Sequence, residues 1–172
     1  MKKIFLLLAM TGTLAFTGCT DDDVPPQVIE NNNTFVSEAF QINNVNLALE
    51  PSTGRFEILT KLQPRLYPSD VILVYRMVND NGTSVWQQIP RTLYLSGEDE
   101  VDYDFNFNRD DLLIFADATF DLATAPEFLN NQTFRVVIIP ADDASMNRIN
   151  YDDYNAVAER LEIKESDVRM IN

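Results

Sequence analysis

Two continuous apolar segments, rich in β-branched residues, most strongly constrain what this chain can fold into. They span residues 71–78 and 134–140 of the 172-residue sequence, with Val74 and Val137 near their centres. A short apolar run of this composition, bounded by turn residues, is typical of a buried strand in the middle of a sheet. The sequence therefore predicts a mainly β domain with two central strands.

Turn signals and alternating residues accompany these two segments. Residues 79–82, Asn-Asp-Asn-Gly, predict a hairpin, because Asn and Gly accept the positive φ of a tight turn. Residues 101–108 alternate strictly between apolar and polar side chains, which places Tyr103 on the core face and Asp102 and Asp104 on the solvent face. With the other short β runs the total is about seven strands, and we expect an immunoglobulin-like antiparallel β-sandwich.

The pattern becomes helical near the end of the chain. An apolar stripe recurs at helical spacing at Tyr151, Tyr154, Val157, Ala158 and Leu161. Asn150 is the expected N-cap, with Asp153 as the acidic member of a capping box. We therefore expect a short C-terminal helix over residues 151–161.

The first 18 residues have the pattern of a secretory signal. Lys2 and Lys3 precede an apolar run, and small residues lead to Cys19. The run is shorter than the roughly twenty apolar residues that a transmembrane helix needs. The sequence therefore predicts a signal peptide over residues 1–18.

Cys19 is the chain's only cysteine. Residues 16–19, Phe-Thr-Gly-Cys, resemble a bacterial lipobox, in which the cysteine thiol is acylated and becomes the first residue of the mature protein. Phe16 departs from the usual Leu of that motif. We expect a lipid on Cys19 that holds the protein on a membrane outside the cytoplasm. The alternative is a plain secretory signal that leaves Cys19 as a free thiol, a liability in an oxidising compartment.

Three acidic residues, Asp21, Asp22 and Asp23, follow the cysteine closely. They resemble the export tag of Bacteroidota lipoproteins, which implies an outer-membrane protein that faces the cell exterior. The alternative is a solvated acidic linker on a protein that faces the periplasm. Residues 19–33 are expected to form an extended linker because they contain two prolines and three consecutive asparagines. Residues 34–172 are then the sandwich domain with its C-terminal helix.

The charge of the chain excludes one class of partner. The sequence has 13 basic and 27 acidic residues, a net charge of −14. Such a surface repels nucleic acid, so we expect no nucleic-acid partner. The negative charge is explained by the need to keep a densely displayed protein soluble. The alternative is that it attracts cations or basic partners.

Missing residue types exclude much catalytic chemistry. The sequence contains no histidine, which excludes Ser-His-Asp and Cys-His catalysis and histidine-containing zinc sites. Neither GxGxxG nor GxxxxGK[ST] occurs, which argues against dinucleotide and nucleotide enzymes. Carboxylates remain, and Asp102 with Asp104 could serve a small hydrolase. Alternating polar residues are, however, expected on any half-exposed strand.

Loop oxygens and aromatic rings offer two weaker binding hypotheses. We expect no cofactor, with Ca²⁺ as the alternative, because turn chemistry alone accounts for Asn-Asp-Asn-Gly and no segment fits the EF-hand spacing. The candidate calcium ligands are Asp80, Glu98, Asp99, Glu100, Asp142 and Asp143.

Several aromatic rings could form a carbohydrate platform if they were exposed side by side. Their alternation with polar residues predicts instead that they face the core. The rings concerned are Trp86, Tyr94, Tyr103, Phe105 and Phe107.

Five segments carry a resemblance that extends over most of residues 35–160. The segments VILVYR, VWQQIP, YDFNF, FRVVIIPA and NYDDYNAV resemble those of a group of small flavobacterial lipoproteins. The resemblance implies a lipoprotein and brings no established activity. We therefore expect a non-catalytic, lipid-anchored envelope module that binds a protein or glycan partner or serves a structural role. A small carboxylate-dependent hydrolase is the alternative.

Overall fold

The computed structural model describes residues 37–140 and 149–171. These residues form a mainly β fold with one short α-helix, α1 (Tyr154–Arg160). The strands are β1 (Glu38–Val45), β2 (Ala48–Glu50), β3 (Arg55–Lys61), β4 (Val71–Asp80), β5 (Thr83–Ile89), β6 (Arg91–Tyr94), β7 (Glu100–Phe107), β8 (Asp111–Ala118), β9 (Gln132–Ile139) and β10 (Arg169–Ile171). The predicted signal peptide, Cys19, Asp21–Asp23, Asp142 and Asp143 lie outside the described residues.

The strands form two five-stranded sheets. The first sheet has the order β10-β1-β9-β4-β5 and the second has the order β2-β3-β8-β7-β6. Within the described residues every strand pairing is antiparallel except that of β1 with β10, which is parallel. The prediction of a mainly β fold is confirmed. The strand order does not establish the immunoglobulin-like connectivity, which stays a prediction.

The main apolar core comes from the facing sides of the two sheets. Alternation along β4 and β9 directs Val74, Phe134 and Val136 into this core, and β7 and β8 contribute Val101 and Ile114. The fully buried position of Val74 confirms the expectation for the first apolar segment.

The opposite face of the first sheet carries a second apolar cluster under α1. Tyr75 and Val137 of the sheet pack in one cluster with Tyr154, Val157 and Leu161 of the helical segment. Val137 is fully buried there. The first sheet is therefore buried on both faces, which explains the predominantly apolar character of β4 and β9.

The helix begins three residues later than the sequence pattern predicts. Asp153 is its N-cap, and its Oδ1 accepts hydrogen bonds from the amides of Asn155 at 2.9 Å and Ala156 at 3.3 Å. The prediction of Asn150 as the cap is wrong, because its side chain instead accepts from the amide of Asp152 at 3.2 Å in the preceding turn. Among the described residues no helix is long and apolar enough to span a bilayer.

Candidate functional site

The outward face of the second sheet brings together the carboxylates that the sequence singles out. Asp102 and Asp104 point away from the core, because Val101 and Tyr103 on the same strand point into it. In the strand register Asp102 lies opposite Asp117 of β8 on one side and opposite Thr92 of β6 on the other. The predicted outward orientation of the two aspartates is thus confirmed, and a third carboxylate joins them.

These side chains surround a shallow depression of about 380 Å³, which we call the acidic depression. Its charged lining residues are Arg55, Arg91, Asp102, Asp104 and Asp117. All five sit on strands of one sheet, so their backbone positions are set by the hydrogen-bonded register of β3, β6, β7 and β8. The depression therefore offers both hydrogen-bond donors and acceptors on a rigid surface.

Two partners offset the like charges of Asp102 and Asp117. Directly opposite like charges destabilise a strand pair. Arg55 Nε lies 3.2 Å from Asp117 Oδ2, and Thr92 Oγ1 donates to Asp102 Oδ1 at 2.5 Å. The Arg55 guanidinium also lies 4.4 Å from the centroid of the Phe115 ring. Arg55 thus neutralises one aspartate and covers an apolar ring on the outward face.

Asp104 is held by its own strand. Its Oδ1 accepts a hydrogen bond from the amide of Phe105 at 2.7 Å. Asp104 lines the depression with one carboxylate oxygen already bonded to its own strand. The arrangement suits a polar ligand that offers both donors and acceptors.

Part of this site cannot be predicted from the sequence. Alternation identifies Asp102 and Asp104, but it does not identify Asp117, Arg55 or Arg91. Asp117 and Arg55 belong to strands whose register against β7 is set by tertiary packing. The alternation of Leu113, Phe115 and Asp117 along β8 is the one local signal that places Asp117 on the outward face.

The calcium candidates are placed in separate turns. Asp80 ends β4, and its Oδ1 accepts from Asn81 Nδ2 at 3.0 Å. Glu98 and Asp99 lie in the turn between β6 and β7, and Glu100 begins β7. Across residues 37–140 and 149–171, no three acidic, histidine or cysteine side chains converge as metal ligands. Asp142 and Asp143 are not described.

Only some of the aromatic side chains face the core, as the sequence predicts for all of them. Tyr103 is buried, and its Oη donates to the carbonyl of Phe128 at 2.6 Å. Phe105 packs against the core. The prediction of a core position is wrong for Tyr94, which is 79% exposed, and for Phe107, which is about half exposed. Both end their strands, where the opposing sheet no longer covers them.

Tyr94 and Phe107 do not form a shared platform. Tyr94 pairs with Glu100 at one end of β7, whereas Phe107 is the last residue at the other end. Trp86 lies on the helix-covered face of the first sheet, with its ring centroid 5.6 Å from that of Tyr154. Of the rings named from the sequence, Phe105 and Phe107 stack with centroids 6.2 Å apart, while Tyr94 and Trp86 lie elsewhere.

Comparison with known proteins assigns the chain to no family. The chain matches no family model, no curated protein and no solved structure. Inference about function therefore rests on the described surfaces and on the N-terminal sequence.

Proposed function

We propose that this protein is a non-catalytic, lipid-anchored module of the outer membrane that faces the cell exterior and binds a protein or glycan partner. The acidic depression is the observation that carries the binding role. It combines three carboxylates with the Arg55 guanidinium on one open sheet face, and Arg91 of the edge strand also lines it. A few placed polar groups on a rigid scaffold give a binding site its orientation and specificity.

The charges of the depression define the chemistry of its ligand. Asp102, Asp104 and Asp117 accept hydrogen bonds, while Arg55 and Arg91 donate them. Sugar hydroxyl groups both donate and accept, and so do the polar side chains of a protein. Either partner could satisfy this mixed set, whereas a purely anionic ligand would be repelled by the three carboxylates.

The N-terminal sequence supports both the lipid anchor and the location on the cell surface. Residues 1–18 have the order of a secretory signal, and Cys19 ends a lipobox-like tetrapeptide. Asp21, Asp22 and Asp23 supply the expected export signal. Residues 19–33, with two prolines and three consecutive asparagines, are the expected linker between the lipid and residues 34–172.

A small hydrolase is the second candidate, because three carboxylates share one depression. Acid–base catalysis by two carboxylates requires one of them to stay protonated through burial, and the two must flank the bond that is cleaved. Asp102 is exposed, and Asp104 and Asp117 are half-buried on the same open face. This arrangement favours binding over catalysis.

Cross-linking on intact cells tests the binding role. The full-length, tagged protein is cross-linked in cells, purified from the outer membrane and compared with two charge reversals. Asp102→Lys alters the depression, whereas Glu159→Lys makes the same charge change at an exposed position of α1, which covers the first sheet rather than the second. We expect one partner, protein or glycan, to be recovered with the wild type and Glu159→Lys and lost with Asp102→Lys. Equal recovery with all three would contradict a binding role for the depression.

Protease shaving of whole cells tests whether the domain faces the cell exterior. Replacement of Asp21, Asp22 and Asp23 by Ala should leave lipidation intact but protect the domain from external protease. Equal cleavage of the wild type and the triple variant would remove the export role of these residues.

A further inference from the structure

The two lateral edges of the sandwich differ in how they are closed. On one edge β5 runs through Pro90 into β6, so the chain passes directly from the first sheet to the second. On the other edge β10 borders the first sheet and β2 borders the second. Between β1 and β2 the chain passes from the first sheet to the second.

The second edge is only half closed by strand pairing. β2 pairs with β3 over Arg55, Phe56 and Glu57 alone. Residues 58–61 of β3 have β8 on one side and, in the described part of the chain, no strand on the other. β10 likewise has only β1 as a neighbour. Free strand edges present backbone N–H and C=O groups that can pair with an added strand.

A groove of about 570 Å³ lies between these two free edges, and we call it the seam groove. Its apolar lining includes buried Ile42 and half-buried Ile58 and Ile171. Leu59 and Met170 also line it and are 60% and 55% exposed. A cluster of exposed apolar side chains along a groove marks an interaction surface.

The charge of the seam groove is opposite to that of the chain. Lys61 and Arg169 line the groove, and no carboxylate does, although the sequence contains 27 acidic residues. Lys61 donates a hydrogen bond to Asp111, which raises the pKa of the ammonium group and offsets part of its charge, so Arg169 is the more available cation of the two. Arg169 donates to the carbonyl of Gln63 and, among the described residues, forms no ion pair. The groove thus attracts an acidic partner.

We propose that the seam groove docks an acidic segment of a partner protein in extended conformation, which adds as a strand along residues 58–61 of β3. Free edge groups pair in register only with a polypeptide backbone, so a peptide fits this groove better than a glycan or a lipid. Alternate apolar side chains of the segment would contact Ile58 and Met170, and its carboxylates would approach Lys61 and Arg169. This surface is distinct from the acidic depression and adds a second partner class to the proposed function.

A peptide titration tests this proposal on the full-length protein in detergent. The probe is a labelled synthetic peptide of alternating Asp and Val, and a peptide of alternating Lys and Val is its matched control. Leu59→Asp places a charge in the groove, whereas Leu49→Asp makes the same change at a similarly exposed position on β2 outside the groove. Circular dichroism establishes that both variants fold.

Fluorescence anisotropy should report binding of the acidic peptide to the wild type and to Leu49→Asp, and at least roughly tenfold weaker binding to Leu59→Asp. Hydrogen exchange should slow at those amides of residues 58–61 that point away from β8 when the acidic peptide is bound. The proposal is overturned if that peptide fails to bind the wild type, binds Leu59→Asp equally well or leaves exchange at these amides unchanged. Equal binding of polygalacturonate, or a dimer in sedimentation that Leu59→Asp abolishes, would assign the groove to a glycan or to a second copy and would also overturn it.

Discussion

Arg135 of β9 and Glu165 of the C-terminal segment form a two-point ion pair. The distance from Nη1 to Oε1 is 2.6 Å, and that from Nη2 to Oε2 is 2.9 Å. The Arg135 side chain is buried, and its guanidinium carbon lies 4.4 Å from the Trp86 ring centroid and 4.8 Å from that of Tyr154. Arg135 also donates to Tyr154 Oη and Gln41 Oε1. One buried cation therefore ties the first sheet to α1 and to the turn that follows it.

Removing the charge of Glu165 should destabilise the protein measurably. Glu165→Gln leaves the buried Arg135 guanidinium without its carboxylate; because the Glu165 side chain is 70% exposed and solvent screens its charge, the expected loss is about 1 kcal/mol in the free energy of unfolding. Glu159→Gln, on the exposed side of α1, is the control and should change stability by less than about 0.5 kcal/mol. Urea unfolding measures both. Equal stability of the two variants would mean that the ion pair contributes nothing to the attachment of the C-terminal segment.

Burial of Tyr103 should make stability fall in alkaline solution. Desolvation raises the pKa of Tyr103 from 10.0 to about 12, and this outweighs the opposing effect of the nearby Arg76 guanidinium. Between these two pH values the unfolded chain loses the phenolic proton while the folded protein keeps it, so the free energy of unfolding falls as pH rises. The full loss is about 3 kcal/mol and is absent below pH 10.

Urea unfolding between pH 8 and about pH 12 measures this dependence. Tyr103→Phe should have a flatter profile above pH 10, although it loses the hydrogen bond to the Phe128 carbonyl at every pH. Buried Tyr75 also has a raised pKa, mainly through desolvation, so part of the slope should remain. An unchanged slope in Tyr103→Phe would contradict the assignment to Tyr103.

A matched pair of substitutions on β4 tests the direction in which its side chains face. Val74 is fully buried in the core between the sheets, whereas Val71, three residues earlier, is 49% exposed. Val74→Asp buries an unpaired charge and should cost more than about 3 kcal/mol, a large part of the stability of a typical domain. Val71→Asp should change stability by less than about 1 kcal/mol. Urea midpoints that fall equally for both variants would show that the strand is placed wrongly.

Neutralising Asp102 should have a small effect on stability. Asp102→Asn keeps an oxygen that can accept from Thr92 and removes one of two like charges that lie opposite each other. The expected change in the free energy of unfolding is less than about 1 kcal/mol. Asp117→Asn, which loses an exposed ion pair with Arg55, should also change it by less than about 1 kcal/mol. A strong gain in stability for Asp102→Asn would indicate a charge-crowded site and would favour the hydrolase hypothesis.

Local sequence patterns predict the central part of the fold. The two apolar segments become β4 and β9, because side chains buried on both faces of a sheet leave a continuous apolar run. The hairpin at residues 79–82 is also confirmed, with φ of 50° at Asn81 and 87° at Gly82. These features leave a signal within a few consecutive residues, which composition and spacing report directly.

Other elements depend on distant contacts and leave little local signal. β2 and β10 have three residues each, too few for a period to be recognised. Arg135 interrupts the apolar run of β9, and its partner Glu165 follows thirty residues later, so its burial could not be read from spacing. Asp117 and Arg55 join Asp102 only through the register of β3, β7 and β8. Sequence therefore identified two of the five charged residues of the acidic depression and missed the seam groove.

Fractionation of cells that express the wild type or Cys19→Ser tests the lipid anchor most directly. The expected result is that wild-type protein is found in the outer membrane with an acylated Cys19 at its N-terminus. Three acyl chains, each methylene contributing about 0.8 kcal/mol on burial, make the attachment effectively permanent. Cys19→Ser should instead stay unprocessed or be released in soluble form. Recovery of mature Cys19→Ser protein in the outer-membrane fraction, in the same amount as the wild type, would contradict the proposal of a lipid-anchored module.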